Sequence, residues 1–351
     1  MFIPKQHPRY LGIFLLLLTL VGVAYWLHDR HSRRLALQSQ LTLPATDENG
    51  SAISSPIAPL PTLTVNQARA ELGKRLFFDP RLSRNNSMNC ASCHSLSNGG
   101  ADGKQYSLRA DGTLTTVNTP SVFNAGLRSH QFWDGRAETL EEQVVVFFQE
   151  HQELGLTWDE VAPKLKADQD FVRTFTKTYA DGLTLQNVAN ALAEFQRTLT
   201  TPNARFDRYL RGDQNAINAD EKRGYKLFSR YGCVACHQGR TVGGNMFEQM
   251  GSINDYFAAR EKKFGVKEQT VDFGRFNVTH QERDRHTFEV CSLRNVEKTA
   301  PYFHDGSAAT LEDAINTMSY YNLGINIPKD EVSSIAAFLR TLTGEYQGQP
   351  L

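Results

Sequence analysis

The sequence predicts a mainly α-helical fold with two similarly built domains, and three observations support this prediction. Apolar residues recur at helical spacing in several segments, most clearly 140–149, 185–199 and 332–342. Strand-like alternation of apolar and polar residues is scarce by comparison. A glycine-led pattern also occurs twice, as Gly73-Lys-Arg-Leu-Phe77 and Gly224-Tyr-Lys-Leu-Phe228, and a Cys-x-x-Cys-His motif follows each copy. We therefore expect a duplicated unit with an insertion in its first copy.

The N-terminal part of the chain contains a long apolar run. Tyr10 to Leu27 carry no charge and number about 18, which is just long enough to span a bilayer as a helix. A cleaved signal peptide is the alternative interpretation, although Gly22-Val-Ala24 is a poor cleavage site. We favour an uncleaved membrane anchor, and either interpretation exports the rest of the chain.

Composition divides the 351 residues into four predicted segments. These are an anchor or signal segment over residues 1–34, a Pro/Ser-rich linker over 35–64, a first domain over 65–213 and a second domain over 214–351. Lysine and arginine number 38, as do aspartate and glutamate, so the formal net charge is zero. Because no dense basic tract is present either, we expect no nucleic-acid partner. One helix start is also predicted, with Thr310 as its N-cap.

The two motifs Cys90-Ala-Ser-Cys93-His94 and Cys233-Val-Ala-Cys236-His237 are typical of haem c attachment. In such motifs the two thiols bond to the vinyl groups of one haem and the histidine ligates its iron. A structural zinc site needs further ligands at matching spacing, and a thioredoxin-like dithiol belongs in a βαβ unit. Neither pattern is present, and only Cys291 remains of the five cysteines. We therefore predict two covalently bound haem c groups.

The second axial ligand of each iron decides what the haem can do. A haem with ligands on both faces transfers electrons, whereas a haem with one open face can bind peroxide. The first haem has no nearby candidate, because no histidine lies between His94 and His130 and the next methionine is Met246. For the second haem, Met246, Met250 and Met318 are all candidates.

Six segments in order make the chain resemble the bacterial di-haem cytochrome c peroxidase family from about Leu72 to Gly344. They are LGKRLFFDPRLS (72–83), NTPSVFN (118–124), FWDGRA (132–137), SLRNV (292–296), APYFHDG (300–306) and AAFLRTLTG (336–344). The methylamine dehydrogenase maturation enzymes are close relatives that share most of these segments. The resemblance implies two cytochrome c-like domains packed together.

The resemblance also implies roles in a peroxidatic first site. His94 matches the proximal ligand of the low-potential haem, and Gln143 and Glu153 match residues of its distal pocket. A carboxylate such as that of Glu153 can take a proton from hydrogen peroxide and deliver it to the leaving oxygen, while Gln143 orients the peroxide. Trp133 matches the tryptophan that lies between the two haems and serves as a bridge for electrons.

In the second site, His237 and Met318 match the ligands of the high-potential haem at which electrons enter. Asn118, Thr299 and Pro301 match the positions that hold one calcium ion between the domains. Thr299 and Pro301 would ligate through backbone carbonyls, which suits a hard cation.

One departure from the family concerns the resting state. Many members carry a histidine soon after the first haem motif, and this histidine caps the peroxidatic iron until the other haem is reduced. Here that position falls near Ala110. We therefore expect a first haem that is five-coordinate at rest and needs no reductive activation.

The leading interpretation is a peroxidase that reduces hydrogen peroxide with electrons from a cytochrome c, a small redox protein such as a cupredoxin, or a quinol. Oxidative maturation of a partner protein is the first alternative. In those enzymes a tyrosine replaces the axial methionine, and Tyr320 and Tyr321 lie close to Met318. A non-catalytic electron-transfer cytochrome is the second, although Gln143 and Glu153 argue against it.

The expected location is the periplasmic side of the bacterial inner membrane, with the chain held by its N-terminal helix. A soluble periplasmic protein follows if a signal segment is cleaved. Homodimerisation, which is common in the family, is a further expectation from the resemblance.

Overall fold

The computed structural model describes residues 55–150 and 153–351, and the structural statements below concern those residues. This part of the chain is mainly helical, as predicted. Its α-helices are α1 (Gln67–Phe77), α2 (Cys90–Cys93), α3 (Leu140–Glu150), α4 (Trp158–Lys166), α5 (Gln169–Thr178), α6 (Leu185–Thr198), α7 (Arg205–Leu210), α8 (Ala219–Arg230), α9 (Tyr256–Phe264), α10 (Phe276–Thr279), α11 (Leu311–Leu323) and α12 (Lys329–Arg340).

Four short strands form two antiparallel pairs. They are β1 (Phe247–Gln249) with β2 (Thr287–Glu289), and β3 (Glu345–Tyr346) with β4 (Gln349–Pro350). Within the described residues, no helix is long and apolar enough to cross a membrane. The predicted anchor over 1–34 and most of the predicted linker lie outside the described residues.

The buried apolar residues form two principal clusters. The first is built from residues between Leu72 and Leu199, and the second from Ile57 together with residues between Phe206 and Leu342. Phe206 and Leu210 of α7 precede the predicted boundary at 213/214 but already pack in the second cluster.

The final part of the predicted linker packs against the second cluster. Ile57 is 2% exposed and pairs with Gly239 in an isolated parallel bridge. The Ala58 amide donates to the Gly239 carbonyl at 3.2 Å. This segment is therefore docked on the protein rather than serving as a free spacer.

The repeated glycines lie where two pairs of helices cross closely. A Cβ atom on Gly73 of α1 would lie 1.9 Å from the carbonyl oxygen of Ala191 in α6. A Cβ atom on Gly224 of α8 would likewise lie 1.9 Å from the carbonyl oxygen of Ser334 in α12. Because a side chain at either position would collide with backbone, both crossings need glycine. The glycine in each predicted repeat thus closes one helix pair.

The duplication extends further than the sequence analysis recognised. Asn124 and Asn295 both adopt φ of 60°, each precedes a 3-10 turn, and each side-chain amide donates to Thr201 Oγ1 at 2.9 Å. Trp133 and His304 are separated along the chain by the same number of residues as Asn124 and Asn295, and they lie in segments of equal shape. Equivalent asparagines of the two halves therefore both bind Thr201.

Polar side chains cap the helices that carry the functional residues. The Thr310 hydroxyl accepts a hydrogen bond from the Asp313 amide at 3.1 Å and so caps α11, which confirms the predicted helix start. In α3, the Thr139 hydroxyl accepts from the Glu142 amide at 3.0 Å in the same way. These equivalent caps begin the two helices at equivalent positions.

Candidate active site

The first cavity, of about 730 Å³, lies in the half of the protein built around the first cluster. It brings together the residues that the sequence predicted for the peroxidatic site: Cys90, Cys93, His94, Trp133, Gln143 and Glu153. These residues come from α2, a loop, α3 and the segment after α3. Their roles stay predictions, but their convergence on one cavity is a feature of the structure.

The local backbone prepares His94 to bind a metal. The single turn of α2 places both cysteines before it, and the His94 amide donates to the Cys90 carbonyl at 2.9 Å. Nδ1 of His94 lies 3.3 Å from the carbonyl oxygen of Gly100, so Nδ1 carries the proton and Nε2 is left as a ligand atom. Burial lowers the pKa of His94, which favours the neutral imidazole that binds iron.

None of the four motif cysteines forms a disulfide with another described cysteine, and burial raises the pKa of each thiol. It raises the pKa of Cys90 to about 12 and that of Cys233 to about 11. A reactive dithiol has a lowered pKa instead. Among the residues described here, no group of three or more His, Cys, Asp or Glu side chains could hold a metal ion, which argues against zinc. The motifs therefore fit covalent haem attachment.

The second cavity, of about 280 Å³, contains the corresponding residues of the other half. The second half contributes six of the predicted residues that line it: Cys233, Cys236, His237, Thr299, Pro301 and Met318. Asn118 of the first half lines it as well. Nδ1 of His237 lies 3.3 Å from the carbonyl oxygen of Val242, which repeats the arrangement at His94. Burial lowers the pKa of His237 to about 4, so this imidazole is also neutral.

The structure reduces the candidates for the second axial ligand of this site. Met318 and Met250 line the second cavity, and Met246 does not. Tyr320 and Tyr321 do not line it either, and Tyr320 is 43% exposed. Two methionine candidates therefore remain, and Tyr302 is the tyrosine that lines this cavity, while Tyr321 packs in the same apolar cluster as Met250 and Met318.

The internal duplication distinguishes the two cavities at one helix position. Counted from the equivalent caps Thr139 and Thr310, Phe147 of α3 occupies the place that Met318 occupies in α11. Phe147 lines the first cavity and Met318 lines the second. A thioether sulfur can ligate iron, whereas a phenyl ring has no ligand atom. A constant spacing in the sequence would have revealed this pair.

The distal polar residues show the opposite pattern. Gln143 of the first half corresponds to Ala314 of the second, and Glu153 corresponds to Gly324. At these two positions the first half thus has an amide and a carboxyl group and the second half has neither, although Glu248 and Glu289 line the second cavity elsewhere. At the compared positions, the first half therefore has the polar pair Gln143 and Glu153, and the second half has the predicted ligand Met318.

Trp133 lies in the wall between the two cavities and lines both. Its indole nitrogen donates to the carbonyl oxygen of Asn118 at 2.9 Å, and its ring centroid lies 6.4 Å from that of His304. The backbone amide of Asn118 in turn donates to the His304 carbonyl at 2.7 Å. The indole is therefore held in one orientation.

Two arginines and two acids set the electrostatics of the first cavity around Glu153. Burial raises the pKa of Glu153, and the charge of Glu150 acts in the same direction. Arg109 and Arg136 lower it. Arg136 is itself committed elsewhere, since it binds both carboxylate oxygens of Glu150 at 3.0 Å and one of Asp134 at 3.0 Å. Glu153 is therefore a carboxyl group of raised pKa, suited to accept and return a proton.

The three residues of the predicted calcium set lie along one wall of the second cavity. The amide nitrogen of Asn118 donates to the carbonyl oxygen of Lys104 at 2.8 Å, which leaves its Oδ1 available as a ligand. Thr299 and Pro301 would add their backbone carbonyl oxygens to this ligand set. Oxygen is the ligand atom that calcium prefers.

Two cysteine–histidine attachment sites in a duplicated helical fold define a di-haem c-type cytochrome. A family model described as di-haem cytochrome c peroxidase matches residues 67–215. A cytochrome c551 peroxidase of Nitrosomonas europaea is 43% identical over 297 residues, which cover 84% of this chain and 86% of that protein. A methylamine utilization protein MauG of Methylophilus methylotrophus is 33% identical, with coverages of 79% and 82%. The chain therefore belongs to the di-haem cytochrome c peroxidase family.

One solved structure and a further relative agree with this assignment. A MauG-like protein associated with microbial copper homeostasis superposes with a TM-score of 0.68 at 27% identity, covering 84% of this chain and 94% of that one. The cytochrome c peroxidase Ccp of Escherichia coli is 40% identical over 84% of this chain, but the match spans only 62% of that longer protein. Membership of the family implies two haem c groups, for which the two cavities provide the attachment residues.

Proposed function

We propose that this protein is a di-haem peroxidase that reduces hydrogen peroxide to water. The observation that carries the proposal is the difference between equivalent positions of the two halves. The first cavity has Gln143, Glu153 and the ligand-free Phe147, whereas the second has Met318 in the place of Phe147. One half is thus equipped for acid–base chemistry beside an open haem face, and the other for electron transfer.

The reaction consumes one hydrogen peroxide, two electrons and two protons and yields two waters. When bound, haem supplies the iron at which peroxide binds and the electron storage that its reduction requires. Glu153 takes a proton from one peroxide oxygen and transfers it to the other, which leaves as water. Its raised pKa makes the carboxylate a stronger base, which favours the removal of the proton from peroxide. Gln143 donates a hydrogen bond that keeps the peroxide in position.

Electrons enter at the second site and leave through the wall between the cavities. His237 and Met318 would hold the second haem, and a haem ligated by both would not bind peroxide. Trp133 lines both cavities and is the natural bridge between them. Asn118 would hold this wall in place as a calcium ligand, together with the carbonyl oxygens of Thr299 and Pro301.

We also propose a periplasmic location, anchored in the bacterial inner membrane by the apolar run over residues 10–27, or soluble after cleavage of that segment. Haem attachment to Cys-x-x-Cys-His motifs, which takes place outside the bacterial cytoplasm, supports export. The donor would be a cytochrome c, a cupredoxin or a quinol. Cytochrome c is favoured by the 43% identical Nitrosomonas europaea relative, whose name gives it as a cytochrome c551 peroxidase. Homodimerisation remains part of this proposal.

Maturation of a partner protein ranks below peroxide reduction. It requires a tyrosine at the second haem, and neither Tyr320 nor Tyr321 lines that cavity. A non-catalytic electron carrier also ranks below it, because a carrier has no need of Gln143 and Glu153 beside an open face.

The test is steady-state peroxide turnover by the holoprotein with a reduced cytochrome c, in wild type and Glu153→Gln. We expect the variant to lose activity about 100-fold or more while both haem spectra stay unchanged. Glu71→Gln is the matched control, because Glu71 is exposed on α1 and does not line the cavity. A wild type that holds both haems but reduces no peroxide with any donor class would leave the electron carrier as the function.

A further inference from the structure

Arg109 lies in a small hairpin that is tied to the catalytic segment. Residues 107–115 form the hairpin, in which the Arg109 amide donates to the Thr113 carbonyl at 2.8 Å. At its tip, the Ala110 amide donates to the carbonyl oxygen of Glu153 at 2.8 Å. The position of Arg109 relative to Glu153 is thereby held by the backbone.

The Arg109 side chain has unused hydrogen-bonding capacity inside the first cavity. It lines this cavity together with Gln143 and Glu153. Its Nε is buried and has no hydrogen-bond partner in the described part of the chain. Among residues 55–150 and 153–351, its guanidinium makes one hydrogen bond, from Nη1 to Thr113 Oγ1 at a long 3.5 Å. Arg136, in the same cavity, is instead engaged by two carboxylates.

The positive charge of Arg109 acts on Glu153, the proposed acid–base residue. It lowers the pKa of Glu153, whereas burial raises it. An arginine stays protonated in proteins and presents five donors in a rigid plane. It is therefore a fixed cation beside the group that moves the proton.

We propose that Arg109 is a further catalytic residue, whose guanidinium donates to the outer oxygen of hydrogen peroxide. This inference rests on the proposed peroxidase function. When the O–O bond breaks, its electron pair goes to the outer oxygen, which receives the proton carried by Glu153 and leaves as water. Negative charge develops on that oxygen before the proton arrives, and the guanidinium stabilises it. Two electrons and two protons then convert the other oxygen to the second water.

A different partner for Arg109 is a carboxylate of the haem itself. In that case the arginine would affect the reduction potential of the first haem and leave its open face unchanged. The experiment therefore measures both properties in the holoprotein, for wild type, Arg109→Gln and Arg109→Lys.

Two measurements report on the open face of the first haem. One is the rate at which hydrogen peroxide reacts with the resting protein, measured by stopped-flow absorbance. The other is the dissociation constant of fluoride, an anion that binds ferric haem and accepts hydrogen bonds. For Arg109→Gln we expect the rate to fall about 100-fold or more and the fluoride constant to rise roughly tenfold or more. Arg109→Lys keeps the charge with fewer donors, so intermediate values are expected.

Arg84→Gln is the matched control. Arg84 is exposed, does not line the cavity, and donates through Nε to the Gly155 carbonyl at 2.9 Å. Its replacement removes one positive charge from the same region and should leave both readouts unchanged.

The inference is overturned if Arg109→Gln matches Arg84→Gln in both readouts. A shifted reduction potential with unchanged fluoride affinity would overturn it too and assign Arg109 to the haem carboxylate. If Arg109→Gln loses haem, the same two measurements on Arg109→Lys are compared with those on Arg84→Gln instead. If wild type binds fluoride through Arg109 but turns over no peroxide, the proposed function fails while the assignment of Arg109 to the open face stands.

Discussion

Replacing Gly224 by alanine should destabilise the second half of the protein. The new Cβ atom would lie 1.9 Å from the carbonyl oxygen of Ser334 and 2.9 Å from the Cβ of Phe338. Contacts of a Cβ atom below 3.0 Å are essentially never observed, so α8 and α12 would have to separate by about 1.1 Å at this point. The obstructing atom belongs to a helix backbone and cannot turn aside as a side chain would.

The size of the effect follows from two opposing contributions. Overpacking of a well-filled site costs about 1–3 kcal/mol, and a rigid backbone contact places this case at the upper end. Alanine is the better helix former by about 1 kcal/mol, which offsets part of the loss. The net destabilisation is about 2 kcal/mol, which corresponds to a fall in Tm of about 4–8 °C for a domain of this size.

Differential scanning calorimetry of the holoprotein measures this shift, and Soret circular dichroism follows the second haem environment in parallel. Gly126→Ala is the control, since its nearest atom would be 3.2 Å away in the flexible Arg197 side chain. A Tm equal to that of wild type, or higher as helix propensity alone predicts, would refute the reasoning about the close crossing. Because the Cβ clash at Gly73 is equally short, the same change there should destabilise the first half.

Four further predictions concern the haem sites. Met318→His should abolish the methionine–iron absorption band of the second haem and lower its reduction potential in a redox titration; unchanged values would point to Met250. Trp133→Phe should slow the passage of electrons from the second haem to the first in stopped-flow measurements, and an unchanged rate would remove the tryptophan from the path. Because burial raises the pKa of Glu153, peroxidase activity should fall with decreasing pH through a value above the ordinary 4.5, where the carboxylate base becomes protonated; an acid limb at or below 4.5 argues against this base. EPR of the oxidised protein should show a five-coordinate high-spin signal for the first haem, whereas two low-spin signals would contradict this expectation.

The local chemistry of the chain is predictable because it depends on residues that are neighbours in sequence. Cys90, Cys93 and His94 lie within one turn, so their spacing alone specifies haem attachment. The N-cap Thr310 and the helical periodicity are likewise local. The resemblance to the family extended this to Gln143 and Glu153, and the structure shows that both line the cavity of His94.

Other features were not visible in the sequence because they depend on which distant segments meet. The unpartnered Nε of Arg109 became apparent only once residues 107–115 were placed against Glu153. The docking of Ile57 on the second cluster, within a segment of linker composition, also depends on a long-range contact with Gly239.

The sequence by itself determined that this protein carries two haem-attachment sites in a duplicated helical chain. Covalent spacing within each motif and the 3.6-residue period of a helix are properties of short segments, and they need no knowledge of the fold. Only the tertiary structure decided that Met318 and Met250, rather than Met246, line the second cavity. It also decided that Phe147 lines the first cavity and Met318 the second. The packing of helices that are far apart in the chain brings an axial ligand close to its iron. The spacing of residues along the sequence does not reveal which of these helices will lie close together.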